Sequence, residues 1–150
     1  MKGQSIQKVG RDDGQTLVEF SLVAVMFIVM LFAVVEMSRM ILVYTTISNA
    51  AKAGARYAIV HGADRSGSGA DGPSGPGSTT EVETVAKNYA AAGLLNTSNV
   101  NVAVSYGAGG NTPGSTVTVS VTYTYDPLIR YFSSILNRSL GADSRGVITF

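Results

Sequence analysis

Apolar side chains are bunched near one end of the chain. Residues 22–35 read LVAVMFIVMLFAVV without a polar side-chain atom, and Leu17, Val18 and Phe20 extend the run upstream past Glu19 and Ser21. Residues 17–35 are therefore an almost unbroken apolar stretch, close to the roughly 20 helical residues that cross a bilayer's hydrocarbon at about 1.5 Å each. This predicts a membrane-spanning helix over 17–35. Two other readings compete with it. A cleavable secretory signal has a basic start, a shorter apolar core and a small-x-small cut site, whereas here Asp12 and Asp13 stand just before the run and Glu36 follows it with no Ala-x-Ala nearby. A buried core helix is the other, but a small domain seldom encloses so continuous an apolar rod.

Beyond the run the apolar positions keep a helical period: Met37, Met40, Ile41, Tyr44, Ile47, Ala51, Ala55, Ala58 and Ile59 fall near one 3.6-residue stripe, and no proline interrupts them. The pattern predicts one helix over 15–61, about 70 Å long, its first half in lipid and its second half laying an apolar face on a head domain. Ala50, Gly54 and Ala58 form a ridge of small residues at spacing four. Such a ridge lets another backbone come close, either the chain's own sheet or a neighbouring helix.

Residues 62–79 are rich in glycine, serine and proline and are expected to be a mobile surface loop. Thr80 with Glu83 has the spacing of a capping box and opens a second helix, with Val82, Val85, Ala86 and Tyr89 on one face and Gly93 or Asn96 at its end. Val100, Val102, Val104 and Tyr106, then Val117, Val119, Val121, Tyr123 and Tyr125, alternate with polar residues, which predicts two strands with one apolar side. Asp126 and Pro127 would start a short helix carrying Leu128, Phe132, Ile135 and Leu136, and residues 147–150 would be a last strand. The fold class expected is α+β: a long amino-terminal helix and a second helix packed on a small antiparallel sheet, with the head over 80–150. The threonine-rich opposite side of that sheet would face solvent or a partner.

Composition narrows the function. Only 14% of the 150 residues are charged, and the formal net charge is +1. No basic field exists to collect nucleic acid. The chain has no cysteine and one histidine, His61, which removes disulfides, thiolate metal sites and histidine metal clusters. Asp64 and Asp71 lack the spacing of a calcium loop, and neither glycine cluster has a phosphate-binding pattern. No Gly-x-Ser-x-Gly elbow or comparable nucleophile arrangement is present, and His61 at a helix end has no acid or serine partner in sequence, so it reads as a helix cap. No catalytic residue, cofactor or metal is expected. Asn96-Thr97-Ser98 and Asn137-Arg138-Ser139 fit the glycosylation pattern.

Glu19 stands out, since an ionised carboxylate in hydrocarbon costs at least about 2.5 kcal/mol on insertion scales. At the interface it would snorkel at little cost. Alternatively, a cut after Gly14 leaves Glu19 fifth from a new amino terminus at Gln15, and in a staggered stack the carboxylate of one chain can neutralise the terminal ammonium of another. At these residues the sequence resembles the type IV pilin superfamily. More narrowly, Gly14-Gln15-Thr16-Leu17-Val18-Glu19-Phe20, the apolar run, Val35-Glu36-Met37-Ser38-Arg39 and Ala53-Gly54-Ala55-Arg56-Tyr57-Ala58 resemble a TadE-like pseudopilin or minor pilin of the tight-adherence (Tad, or Flp) pilus. Gln15 stands where pilins commonly carry an apolar first mature residue, and the span lacks the proline of many relatives.

The resemblance implies a leader over 1–14, a prepilin peptidase acting at Gly14 and Gln15, and an inner-membrane subunit meeting other pilin subunits and inner-membrane assembly proteins before reaching an extracellular pilus. The portion from Gln15 onward has eight basic and eight acidic side chains, a formal zero that permits close self-association. Lys2, Lys8 and Arg11 place the amino terminus in the cytoplasm. Glu36 and Arg39, three apart on one helical face, would ease the helix out of lipid as a local ion pair or reach another subunit. Two other classes remain open: an uncleaved single-pass protein whose head docks an assembly partner or ligand, and a secreted binding domain.

Overall fold

The computed structural model describes residues 11–93, 95–128 and 138–149. The chain divides into two compact units, Met1–Ser38 and Arg39–Phe150. Helix α1, Arg11–Val60, belongs to both. It starts four residues earlier than the expected Gln15, because nothing between Arg11 and Gln15 breaks a helix: Gly14 alone is a weak helix former, costing only about 1 kcal/mol relative to alanine. In the first unit α1 is the whole of the described structure.

The second unit is α+β. After α1 come a 3-10 turn at Gly69–Asp71, helix α2 at Thr80–Ala92, a second 3-10 turn at Thr97–Asn99, and strands β1 Val100–Tyr106, β2 Thr116–Thr124 and β3 Ser139–Val147. The sheet has the order β1-β2-β3 and is antiparallel throughout. Strand β2 is central because it has the most β-branched sequence, TVTVSVTYT, with valines on one side and hydroxyl residues on the other. The register pairs Val102 with Val121 and Val104 with Val119, so the apolar side is continuous across β1 and β2. Val117, Val119 and Val121 are fully buried.

That side is covered by both helices. From α1, Ile47, Ala50, Ala51, Ala55 and Ala58 are buried, and from α2, Val82, Ala86 and Ala90. The buried line on α2 follows spacing four and leaves Tyr89 48% exposed, so the expected face is rotated away from that tyrosine. The small residues of α1 set how near helix and sheet approach. A Cβ on Gly54 would lie 3.2 Å from Val119 Cγ1 and 3.3 Å from Ala86 Cβ. One missing methyl group thus marks the place where α1, α2 and β2 converge. Each fully buried valine or isoleucine here contributes about 1.5–3 kcal/mol of transfer free energy.

Helix α2 is preceded by Thr79, whose hydroxyl donates to Glu83 Oε1 at 2.8 Å, while Glu83 N donates to Thr79 O at 3.0 Å. The capping position falls at Thr79, one residue before the expected Thr80, and its side chain makes no hydrogen bond to the backbone of the first turn. Gly93 closes the helix, its N–H reaching Tyr89 O and Ala90 O.

The last strand is Ser139–Val147 rather than 147–150. Its sequence, SLGADSRGV, has no run of large apolar residues, so alternation could not reveal it. Backbone pairing along all of β2 holds it, from Thr116 with Val147 to Thr124 with Ser139. Ile148, just beyond, is buried and exchanges backbone bonds with Gly114 and Ser115. Gly114 meets this bond with φ +87°, a left-handed conformation that favours glycine. The short helix expected to carry Phe132, Ile135 and Leu136 lies outside the described residues, as do Asn137 of the second sequon and Phe150.

The Gly/Ser/Pro tract lies on the surface but is tied down at several points. Ala63 N donates to Asn111 O at 2.8 Å, Ser74 N to His61 O at 2.7 Å, and the Tyr57 hydroxyl to Ala70 O. Ser74, 2% exposed, donates its hydroxyl to His61 O at 3.1 Å and accepts from the Tyr106 hydroxyl at 3.2 Å. Both polar functions of this buried side chain are satisfied.

Candidate functional site on the long helix

The stretch 17–35 of α1 combines an apolar surface with one acid, Glu19. Every large side chain from Leu17 to Val35 is exposed, between 47% and 73% of its surface. An 18-residue window of this helix has a mean hydropathy of 2.7 and buries nothing within the chain. In water such a surface would cost tens of kcal/mol at about 25 cal/mol per Å². A helix of this kind satisfies its own backbone and is a form that hydrocarbon accepts. The hydroxyls of the stretch follow suit: Ser21 donates to Val18 O at 2.8 Å and Ser38 to Val34 O at 2.9 Å.

Gly14, Gln15 and Glu19 are all exposed on this helix. No heavy atom lies within 4 Å of where a Cβ on Gly14 would stand. Gln15 Nε2 donates to Glu19 Oε1 at 3.1 Å, one helical turn on. The sequence reading singled out both residues, by position, but missed this bond, for which the spacing of four was the available signal.

Glu36 is half-buried on α1 in the first unit. Arg39 opens the second unit, where its guanidinium carbon lies 5.6 Å from the centroid of the Tyr125 ring. Tyr125 is 1% exposed, so this is a cation over a buried aromatic face. Arg39, Leu42, Val43, Leu95, Tyr125 and Asp126 border a shallow cleft of about 170 Å³. The Arg39 and Tyr125 contact spans most of the chain, and no local pattern pointed to it.

Ala50, Gly54 and Ala58 are buried against the chain's own sheet and second helix. His61 follows the last turn of α1. Its Nδ1 lies 2.8 Å from Tyr57 O, and its ring stacks on Tyr57 at 3.8 Å and 14°. A carbonyl only accepts, so Nδ1 carries the hydrogen and the ring caps the helix end. Nearby, burial raises the Tyr57 hydroxyl above its ordinary pKa, with Glu81 and Asp71 adding to it, and burial likewise raises Tyr106 against the opposing hydrogen bond to Ser74. Among the described residues no group of three His, Asp or Glu side chains could hold a metal ion.

Residues 14–56 match the family model described as TadE-like protein. The match begins at the glycine of the candidate cut and runs through the apolar stretch to Arg56, inside α1. No curated protein and no solved structure matches the chain.

Proposed function

We propose, on the premise that the long helix is that of a TadE-like protein, that the chain is a pilin-like subunit, a minor pilin or pseudopilin, used to assemble a Tad pilus. Residues 17–35 anchor it in the bacterial inner membrane in a single pass, with the basic amino terminus in the cytoplasm. A prepilin peptidase cuts between Gly14 and Gln15. The released amine of one subunit meets Glu19 of its neighbour, and the two charges remove each other's cost in lipid. Helix packing along α1 then holds subunits together, and inner-membrane assembly proteins act on the anchored form.

The observation that carries this reading is the placement of Glu19: the one carboxylate within the exposed apolar stretch 17–35, a little over one turn beyond an open Gly14. The test has two parts. Mass spectrometry of protein recovered from cells should find Gln15 at the amino terminus. Glu19→Gln should leave membrane insertion intact and stop incorporation into filaments. Unimpaired filament growth by that variant would sink the reading.

A second reading is favoured by the course of α1, which passes through Gly14 without a break. In it the chain stays uncut in the membrane, and its outer head docks an assembly partner or ligand. An intact leader on every cellular molecule would select it.

A further inference from the structure

Gln15 carries a side chain whose chemistry changes once the chain is cut before it. In the intact chain its main-chain nitrogen is an amide. Cleavage after Gly14, on which this inference rests, makes that nitrogen a primary amine beside the residue's own carboxamide, at the spacing of a five-membered ring. Such intramolecular pairs react at high effective concentration. The amine nitrogen attacks Cδ, the N–Cδ bond forms, the Cδ–Nε2 bond breaks, and Nε2 leaves as ammonia with a proton from the amine. No oxidant or co-reactant is needed. The product is a neutral lactam, which has lost the positive charge of the terminus.

The structure contains the contact that opposes this closure. Gln15 Nε2 is bonded to Glu19 Oε1 at 3.1 Å, so the carboxamide reaches along the helix towards the following turn instead of folding back on its own nitrogen. A carboxylate close by also favours the protonated amine, which is not a nucleophile.

We propose that Gln15 is a self-modification site: the released terminus closes to a lactam with loss of ammonia, and Glu19 is the positioning residue that holds it open. A subunit whose terminus stays engaged by a glutamate keeps its ammonium for pairing. One left unengaged loses the charge irreversibly and leaves the pool of competent subunits.

The test uses the full chain in detergent micelles, with a site-specific protease sequence placed immediately ahead of Gln15. Cutting it yields the same terminus whatever the cell's own processing does. Mass spectrometry of the amino-terminal peptide over time reads the loss of one ammonia. Lactam should form in the unsubstituted chain and roughly three- to tenfold faster in Glu19→Ala, the factor expected for one lost hydrogen bond. Glu19→Gln, whose carbonyl still accepts from Nε2, should fall between the two. Equal rates in the unsubstituted chain and Glu19→Ala, or no lactam in either, would overturn the proposal. Protein from cells decides the rest separately. An intact leader defeats the cleavage reading and any cellular role for closure, whereas a cut but persistently open terminus in Glu19→Ala defeats closure alone.

Discussion

Ile59 of α1 occupies the space that a side chain on Gly146 of β3 would need: a Cβ there would fall on Ile59 Cδ1 and lie 2.8 Å from Cγ1. The apolar side of β3 is otherwise thin, with Ala142 and Ser144 at the neighbouring inward positions. Helix and strand are complementary because one side is large where the other is absent. Gly146→Ala should therefore lower stability by about 0.5–1.5 kcal/mol, the cost of turning the half-buried Ile59 side chain away from its preferred rotamer. Adding Ile59→Ala to it should cost less than the two single changes together, since the clash is shared. Denaturant unfolding of the four chains in detergent measures the coupling.

Gly54 poses a similar question with a different answer. Alanine there gains about 1 kcal/mol of helix propensity but sets a methyl group tightly against Val119 and Ala86. The two effects should nearly cancel in Gly54→Ala. Gly54→Leu gains no such balance and should destabilise by about 3 kcal/mol, since a leucine cannot fit between α1, α2 and β2. Thermal unfolding of both variants checks the contrast.

The exposed apolar half of α1 predicts a failure of membrane retention when it is charged. Val25→Arg together with Val29→Arg places two cations mid-span, each costing about 3 kcal/mol of insertion free energy. The doubly substituted chain should move from the carbonate-resistant membrane fraction to the soluble or degraded fraction. Carbonate extraction followed by immunoblotting reads this directly.

Tyr57 and Tyr106 predict an alkaline limit. Both hydroxyls are raised above the ordinary value of 10.0, chiefly by burial. The folded chain thus holds these protons more tightly than the unfolded one. Their stabilising contribution is complete below the unfolded value and is lost as pH rises through the raised folded values. The denaturation midpoint should fall above about pH 10, and Tyr106→Phe should make the fall shallower. Phenolate absorbance during the titration should show the late-ionising groups.

What the sequence disclosed depended on how far apart the cooperating residues stand. The apolar run, the second helix, β1 and β2 each carry their own period, and the valines of β2 declared the buried side of the sheet by strict alternation. β3 has no such signature. Its small and charged residues become a strand through pairing with β2, and its place depends on Ile59, far away in sequence. The cap of α2 was misplaced by one residue because Thr79 and Thr80 offer the same hydroxyl, and only the folded geometry selects between them. On the long helix, Gly14, Gln15 and Glu19 stand close in sequence, and what the structure adds to that spacing is the bond from Gln15 to Glu19. The placing of the Arg39 guanidinium over the Tyr125 ring was not legible, because the two residues stand far apart in sequence.

His61 and Ser74 are joined through their backbones at 2.7 Å, and the Ser74 side chain doubles that link. The segment between them leaves and re-enters the domain at one stitched point. Extra residues placed near its outer turn, between Ser66 and Gly69, would lengthen a handle whose base stays shut. An epitope or a single cysteine for dye attachment grafted there should leave helix and sheet in place, and the protein could then be followed in living cells.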